Sequence, residues 1–181
     1  MSKRTILCYG DSNTWGAIAH GGRHDLNTRW PAVLRNTLGD NFWVIEEGLG
    51  GRTTVFDDPI EGTHKNGARY LLPCLESHQP IDLVILMLGT NDLKHRFGLL
   101  AEDIARGAEK LIQIIKHSNC GPDYDTPQIL LMAPPPIGKL TDLSHMFLGA
   151  EAKSLELGQA YQAVAERQGV YFLDAGQHIR S

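Results

Sequence analysis

Apolar residues along this chain fall into short unbroken runs separated by longer stretches of helical period. Residues 6–9 (Ile6, Leu7, Cys8, Tyr9) and 83–88 are continuous apolar runs that stop at Gly10 and Gly89. Runs of this length without alternation predict strands covered on both faces, as in a parallel sheet. Residues 41–46, around Phe42, Trp43, Val44 and Ile45, predict another strand. Residues 129–132 predict a fourth, closed by Ala133-Pro134-Pro135-Pro136, and residues 170–173 a fifth that ends at Asp174. Between the strands, Pro31 opens a helix that runs to Leu38 and stops at Gly39. Residues 66–77 predict a helix that must accommodate Pro73. Residues 101–117 give the clearest pattern, with Ile104, Ala108, Leu111, Ile112 and Ile115 on one face and Glu102, Arg106, Lys110 and Lys116 mostly off it. Residues 150–168 form a last helix, stopped by Gly169.

Strands that alternate with helices imply an α/β fold: a three-layer αβα domain over residues 1–181, with a flavodoxin-like parallel sheet of about five strands and helices on both faces. Neither an internal repeat nor a low-complexity linker interrupts the pattern. In such sheets ligands bind beyond the C-terminal ends of the strands. Ser12, the glycines after Glu47, Gly89-Thr90-Asn91-Asp92 and the segment after Ala133 all lie just past strand ends and are expected to meet at one edge.

Composition narrows the possibilities. With 42% apolar residues, 21% charged residues and a net charge of −4, the chain has no basic footprint for nucleic acid or an anionic membrane, and no apolar run approaches a membrane span. The N-terminus leads directly into a strand with no apolar leader, so a cytoplasmic location is expected. Three widely spaced cysteines, Cys8, Cys74 and Cys120, suggest neither a disulfide framework nor a zinc site, and no His/Asp/Glu spacing suggests another metal.

Gly10-Asp11-Ser12-Asn13 carries the chemistry. A serine at a strand-to-turn bend presents its hydroxyl outward with its own N–H free, as a nucleophile that also helps hold an oxyanion requires. In Gly48-Leu49-Gly50-Gly51-Arg52-Thr53-Thr54 a glycine can offer a second N–H at close approach, and Asn91 can offer a side-chain donor. Each feature also has a plainer reading: Gly-Asp-Ser-Asn as a turn, Gly50-Gly51 as a flexible turn, and Asn91-Asp92 as a helix cap. Their occurrence in order at successive strand ends favours an acyl-transfer site.

These blocks resemble the SGNH hydrolases, or GDSL-like esterases. Leu7 to Gly16, Val44 to Leu49, Arg52-Thr53-Thr54 and Met87 to Asp92 are similar to the small bacterial arylesterase/acetylesterase branch, which includes oligomeric enzymes able to transfer acyl groups. The resemblance implies Ser12 as nucleophile and oxyanion N–H, Gly51 as the second backbone donor (Gly50 being the alternative) and Asn91 as the side-chain donor. It implies Asp11, Trp15 and Arg52 as residues that line or brace the substrate pocket. Neither a cofactor nor a metal is expected; the partner is a small ester.

The family's last block, Asp-x-x-His, has no counterpart here. Only His178 follows the fifth strand, and Asp174 precedes it by four positions instead of three. The expectation is a chain truncated before that block; the alternatives are His178 as base with an unusual partner, or a protein that binds without catalysis. His20, His24, His64, His78 and His117 read as loop, connection or helix-end residues, and His95 as a solvent-exposed loop residue close to Asn91. The apolar loop at 134–148, with Ile137, Leu140, Leu143, Met146 and Phe147, predicts a pocket wall or a subunit contact, hence a homo-oligomer.

Overall fold

Along the first strand, β1 (Arg4–Gly10), Ile6 and Cys8 enter one apolar cluster and Leu7 and Tyr9 the other, and all four are buried. That division follows from the two-residue period of a strand covered on both sides. The computed structural model describes residues 3–19, 21–139 and 142–179. His20 and Leu140, read above as loop residues, lie outside the described residues.

The other strands are β2 (Phe42–Gly48), β3 (Leu83–Met87), β4 (Gln128–Ala133) and β5 (Tyr171–Asp174). They form a five-stranded, wholly parallel sheet of order β2-β1-β3-β4-β5, the flavodoxin-like arrangement, with the most apolar strand, β3, at its centre. Gly10 pairs with Gly48 on one side and Met87 on the other, so the three strand ends are level.

The helices are α1 (Ser12–Trp15), α2 (Trp30–Leu38), α3 (Gly67–His78), α4 (Ala101–Lys116) and α5 (Ala150–Gln168). The larger cluster packs Leu71 and Leu75 of α3, Ile104, Leu111 and Ile115 of α4, and Leu157 and Tyr161 of α5 against Leu7, Val84 and Leu86. Trp30, Leu34 and Leu38 of α2 pack on the opposite face, against Ile6, Cys8, Val44 and Ile85. All three cysteines are free and buried.

The structure moves several predicted boundaries. β2 runs on to Gly48, and α3 starts after Asn66, whose side chain caps it by accepting from the Ala68 N–H at 3.0 Å. Pro73 stays within α3 on its exposed side. α1 is too short to leave a periodic signal. It lies directly on the end of β2, where a Cβ at Gly48 would run into the Trp15 backbone. Within the apolar loop that follows β4, Phe147 is buried against the larger cluster and Met146 is half-buried. Among the described residues of that segment, the exposed large apolar ones are Leu143 and Leu148, at 56% and 63%.

Candidate active site

β1 ends at Gly10, and Asp11 caps the next turn by accepting from the Asn13 N–H at 2.9 Å. Ser12 thus becomes the first residue of α1, and its N–H is a first-turn donor that no helical carbonyl can reach. Asn13 reaches across to Thr90, Nδ2 to Oγ1 at 3.3 Å, and the Leu49 N–H bonds the Gly10 carbonyl at 3.1 Å. These bonds tie the turns after β1, β2 and β3 to one another.

Gly51 has φ +81°, left-handed backbone that a side chain disfavours, and a Cβ there would meet the Glu61 carboxylate. Asn91 is buried and donates one amide N–H to the Arg52 carbonyl at 3.1 Å. A carboxamide has two such hydrogens, so that bond orients the group and leaves the second for another acceptor.

Ser12, Gly51, Thr90 and Asn91 line one cavity of about 370 Å³. Ile137, Leu143, Met146 and Phe147 from the long loop after β4 form its apolar wall, and Glu61 and Lys94 its charged end. A larger groove of about 680 Å³ between α4 and α5 is lined by Arg106, Glu109 and Arg167, and Arg167 and Glu109 already satisfy each other in a bidentate pair at 2.9 and 2.8 Å. The smaller cavity is the one at which the strand ends converge.

Two carboxyls lie buried beneath it. Burial, only partly offset by the Asn13 N–H, pushes Asp11 up to about 6, with the nearby charge of Asp92 adding to the rise. Asp11 Oδ2 has no hydrogen-bond partner among the described residues. Asp92 is likewise raised to about 6 by burial, against the pull of the Thr54 hydroxyl and N–H, which bond it at 2.5 and 3.0 Å. Asp92 therefore does not cap a following helix: its side chain turns inward and clasps the loop after β2.

Arg52 is buried and lies outside the cavity lining. Its Nη1 bonds the Gly10 carbonyl at 2.9 Å and the Glu47 carbonyl at 2.5 Å, and its Cζ sits 4.2 Å over the Tyr9 ring. It braces the ends of β1 and β2. Trp15 is half-buried outside the lining, with Arg23 stacked 4.8 Å over its ring. Asp11, the residue just before Ser12, is fully buried and lies outside the cavity lining.

The charged end escaped the sequence reading. Lys94, 2% exposed, pairs with Asp58 at 3.3 Å and with Glu61, while Arg96 pairs with Asp58 at 3.0 Å. Desolvation opposes ionisation of Asp58, but the Glu61 and Ile60 N–H groups and the Lys94 ammonium outweigh it and lower its carboxyl to about 2. These partners lie 33 to 38 positions apart, beyond any local pattern.

No described residue lining the cavity is a histidine. His95 is exposed and bonds the Met146 carbonyl through its N–H at 2.8 Å. His178 is exposed too, and Asp174 caps the turn before it by accepting from the Gly176 N–H at 2.9 Å and Gln177 at 3.3 Å.

The profile of the GDSL-like lipase/acylhydrolase family matches residues 8–181. The chain belongs to this family. Among solved structures, the carbohydrate acetylesterase Est24 from Sinorhizobium meliloti is 41% identical with a TM-score of 0.92, over 97% of this chain and 85% of that one. The M. smegmatis aryl esterase is 43% identical at the same TM-score, over 96% and 85%. AlinE4, an SGNH-hydrolase family esterase, shares the fold at 24% identity and a TM-score of 0.66, over 96% and 76%. No match is found among the curated proteins. This family member is therefore an esterase or acylhydrolase by kinship, and none of its described helices is long and apolar enough to cross a membrane.

Away from the cavity, Glu47, Cys74 and His78 bring one oxygen, one sulfur and one nitrogen within 4.8 Å of one another. Glu47 and His78 already satisfy each other at 3.0 Å, and burial, followed by the Glu47 charge, raises the Cys74 thiol to about 12. The trio is a packed, hydrogen-bonded cluster with a protonated thiol.

Proposed function

We propose that this protein is a serine esterase that cleaves small acyl, chiefly acetyl, or aryl esters through an acyl-enzyme and can pass the acyl group to alcohols as well as to water. In this reading Ser12 Oγ attacks the ester carbonyl. The oxyanion that forms is held by the Ser12 N–H, the Gly51 N–H and the free amide hydrogen of Asn91. The family resemblance assigns the proton transfer to the histidine of an Asp-x-x-His block, oriented by its aspartate. Ser12 without a base would be weak at neutral pH: removal of a triad member costs on the order of 10⁴–10⁶ in turnover.

The observation that carries this reading is that a serine hydroxyl, a left-handed glycine and an anchored carboxamide, each from a different strand end, share one cavity. Its modest volume and its apolar wall of Ile137, Leu143, Met146 and Phe147 favour acetyl over long acyl chains. The test combines labelling and kinetics. In a chain that carries the Asp-x-x-His block, an organophosphonate is expected to label Ser12 covalently and to leave Ser12→Ala unlabelled. Hydrolysis of p-nitrophenyl esters is expected to fall from acetate to decanoate. Equal labelling of both proteins would remove Ser12 as the nucleophile, and labelling of neither would favour a non-catalytic binding protein; rates that rise with chain length would remove the acyl preference alone.

A further inference from the structure

Glu61 lines the cavity beside Gly51, and its two oxygens have different surroundings. Oε1 is taken by the Lys94 ammonium, with Arg96 Nη2 at 3.8 Å. Oε2 lies where a side chain on Gly51 would stand and has no hydrogen-bond partner among the described residues. A bare carboxylate beside a forming oxyanion would oppose catalysis. Here Lys94, with Arg96 bridging Asp58, sets two cations against the two anions Asp58 and Glu61. Lys65, whose stem also borders Gly51, adds a third cation and bonds the Gly50 carbonyl at 2.7 Å, so the charged end carries no net negative charge, yet Oε2 still presents an open acceptor to bound substrate.

A carboxylate oxygen can only accept, so it selects a partner with a hydrogen to donate. The opposite wall is apolar and suits the acyl group or a ring face. We propose that Glu61 is a specificity residue for the part of the ester that carries the alcohol: Oε2 accepts a hydrogen bond from a free hydroxyl of a polyhydroxylated, carbohydrate-type acetate or acceptor. This inference rests on the Ser12 reading and names the substrate class for the same site. Lys94 is the positioning residue that fixes which oxygen faces the cavity.

The test uses three acetyl esters that share an acyl group: a monosaccharide monoacetate with its other hydroxyls free, the same compound with those hydroxyls O-methylated, and phenyl acetate. In the wild type, kcat/KM is expected to favour the free-hydroxyl sugar over its methyl ether by roughly tenfold or more, as a charge-assisted hydrogen bond allows. Glu61→Ala should bring that ratio close to one, mainly through KM. Glu61→Gln keeps a carbonyl oxygen for Lys94 and Arg96 and turns an NH₂ toward the cavity. A methyl ether can accept from that group, so the ratio shrinks again in a protein that retains its buried cation. A ratio left intact by both variants, or absent from the wild type, overturns the inference. So does an equal loss on all three esters, which would make Glu61 a support for Gly51 only. A protein that carries the Asp-x-x-His block yet is inert toward all three esters and unlabelled by the organophosphonate removes the esterase reading itself.

Discussion

The Asn91 carboxamide is held by one hydrogen bond and aimed by it. Because its anchor is the Arg52 carbonyl, and Arg52 is itself bonded to the Gly10 carbonyl, the donor is fixed to the same framework that carries Ser12. Its loss should fall on the transition state: Asn91→Ala is expected to lower kcat by roughly 10²–10³ with little change in KM, measured by steady-state hydrolysis of a small acetate. Beneath it, Asp11 and Asp92 titrate at about 6 when folded against an ordinary value of 3.8. The folded protein therefore binds more protons than the unfolded chain between these values, and stability falls as pH rises through them. Above pH 6 each buried charge costs on the order of 3 kcal/mol. Asp58, lowered to about 2, has the opposite sign: its contribution is present above 3.8 and fades as pH falls toward 2. Urea midpoints should accordingly rise from neutral pH to a maximum near about pH 4–5. A steady decline over that interval would contradict the account, and Asp11→Asn should flatten the slope. At this scale the sequence singled out Ser12, Gly51 and Asn91 as candidates, because each follows a strand-end signal, and the fold brings the three to one cavity. It could not show Glu61 or Lys94, whose pairing depends on how the loop after β2 folds over the turn after β3. Nor could it show that Arg52 faces inward, since a guanidinium between two carbonyls leaves no trace in local composition.

Among the elements, β3 was the most legible, as an unbroken apolar run, and it proves the most demanding in packing. Leu86 is fully buried among the α3, α4 and α5 side chains. Leu86→Ala should lower the unfolding free energy by about 2–5 kcal/mol, read from urea denaturation with an unchanged slope. The amphipathic α4 was equally clear, and its observed end lies one residue before the predicted one. α1 was invisible because a single turn offers no period to detect. The close approach of Gly48 and the Asp11 cap create it, and both are contacts known only after folding. The loop after β4 was correctly placed at the cavity, but the division of its apolar residues was not legible. Which of Met146, Phe147 and Leu148 turns inward depends on the core it meets, and Phe147 takes that place.

For the whole molecule, the alternation of strands and helices was enough to establish the order of layers, and the level ends of β2, β1 and β3 follow from it. Leu143 and Leu148 remain as exposed apolar residues at the rim of the cavity, a surface suited to a second copy of the chain. Light scattering on the eluting protein is expected to show an oligomer, and Leu148→Glu to shift it toward the monomer mass; a wild-type monomer would leave that rim without the proposed role. The proposed donors follow three neighbouring strands, from the edge strand β2 through β1 to the central β3, whereas the apolar wall follows β4 and is pinned to the turn after β3 by the His95 N–H on the Met146 carbonyl. Proposed machinery and mould thus come from different strand ends, so the wall residues Ile137 and Leu143 can be exchanged to suit a different ester while the groups behind them keep their alignment.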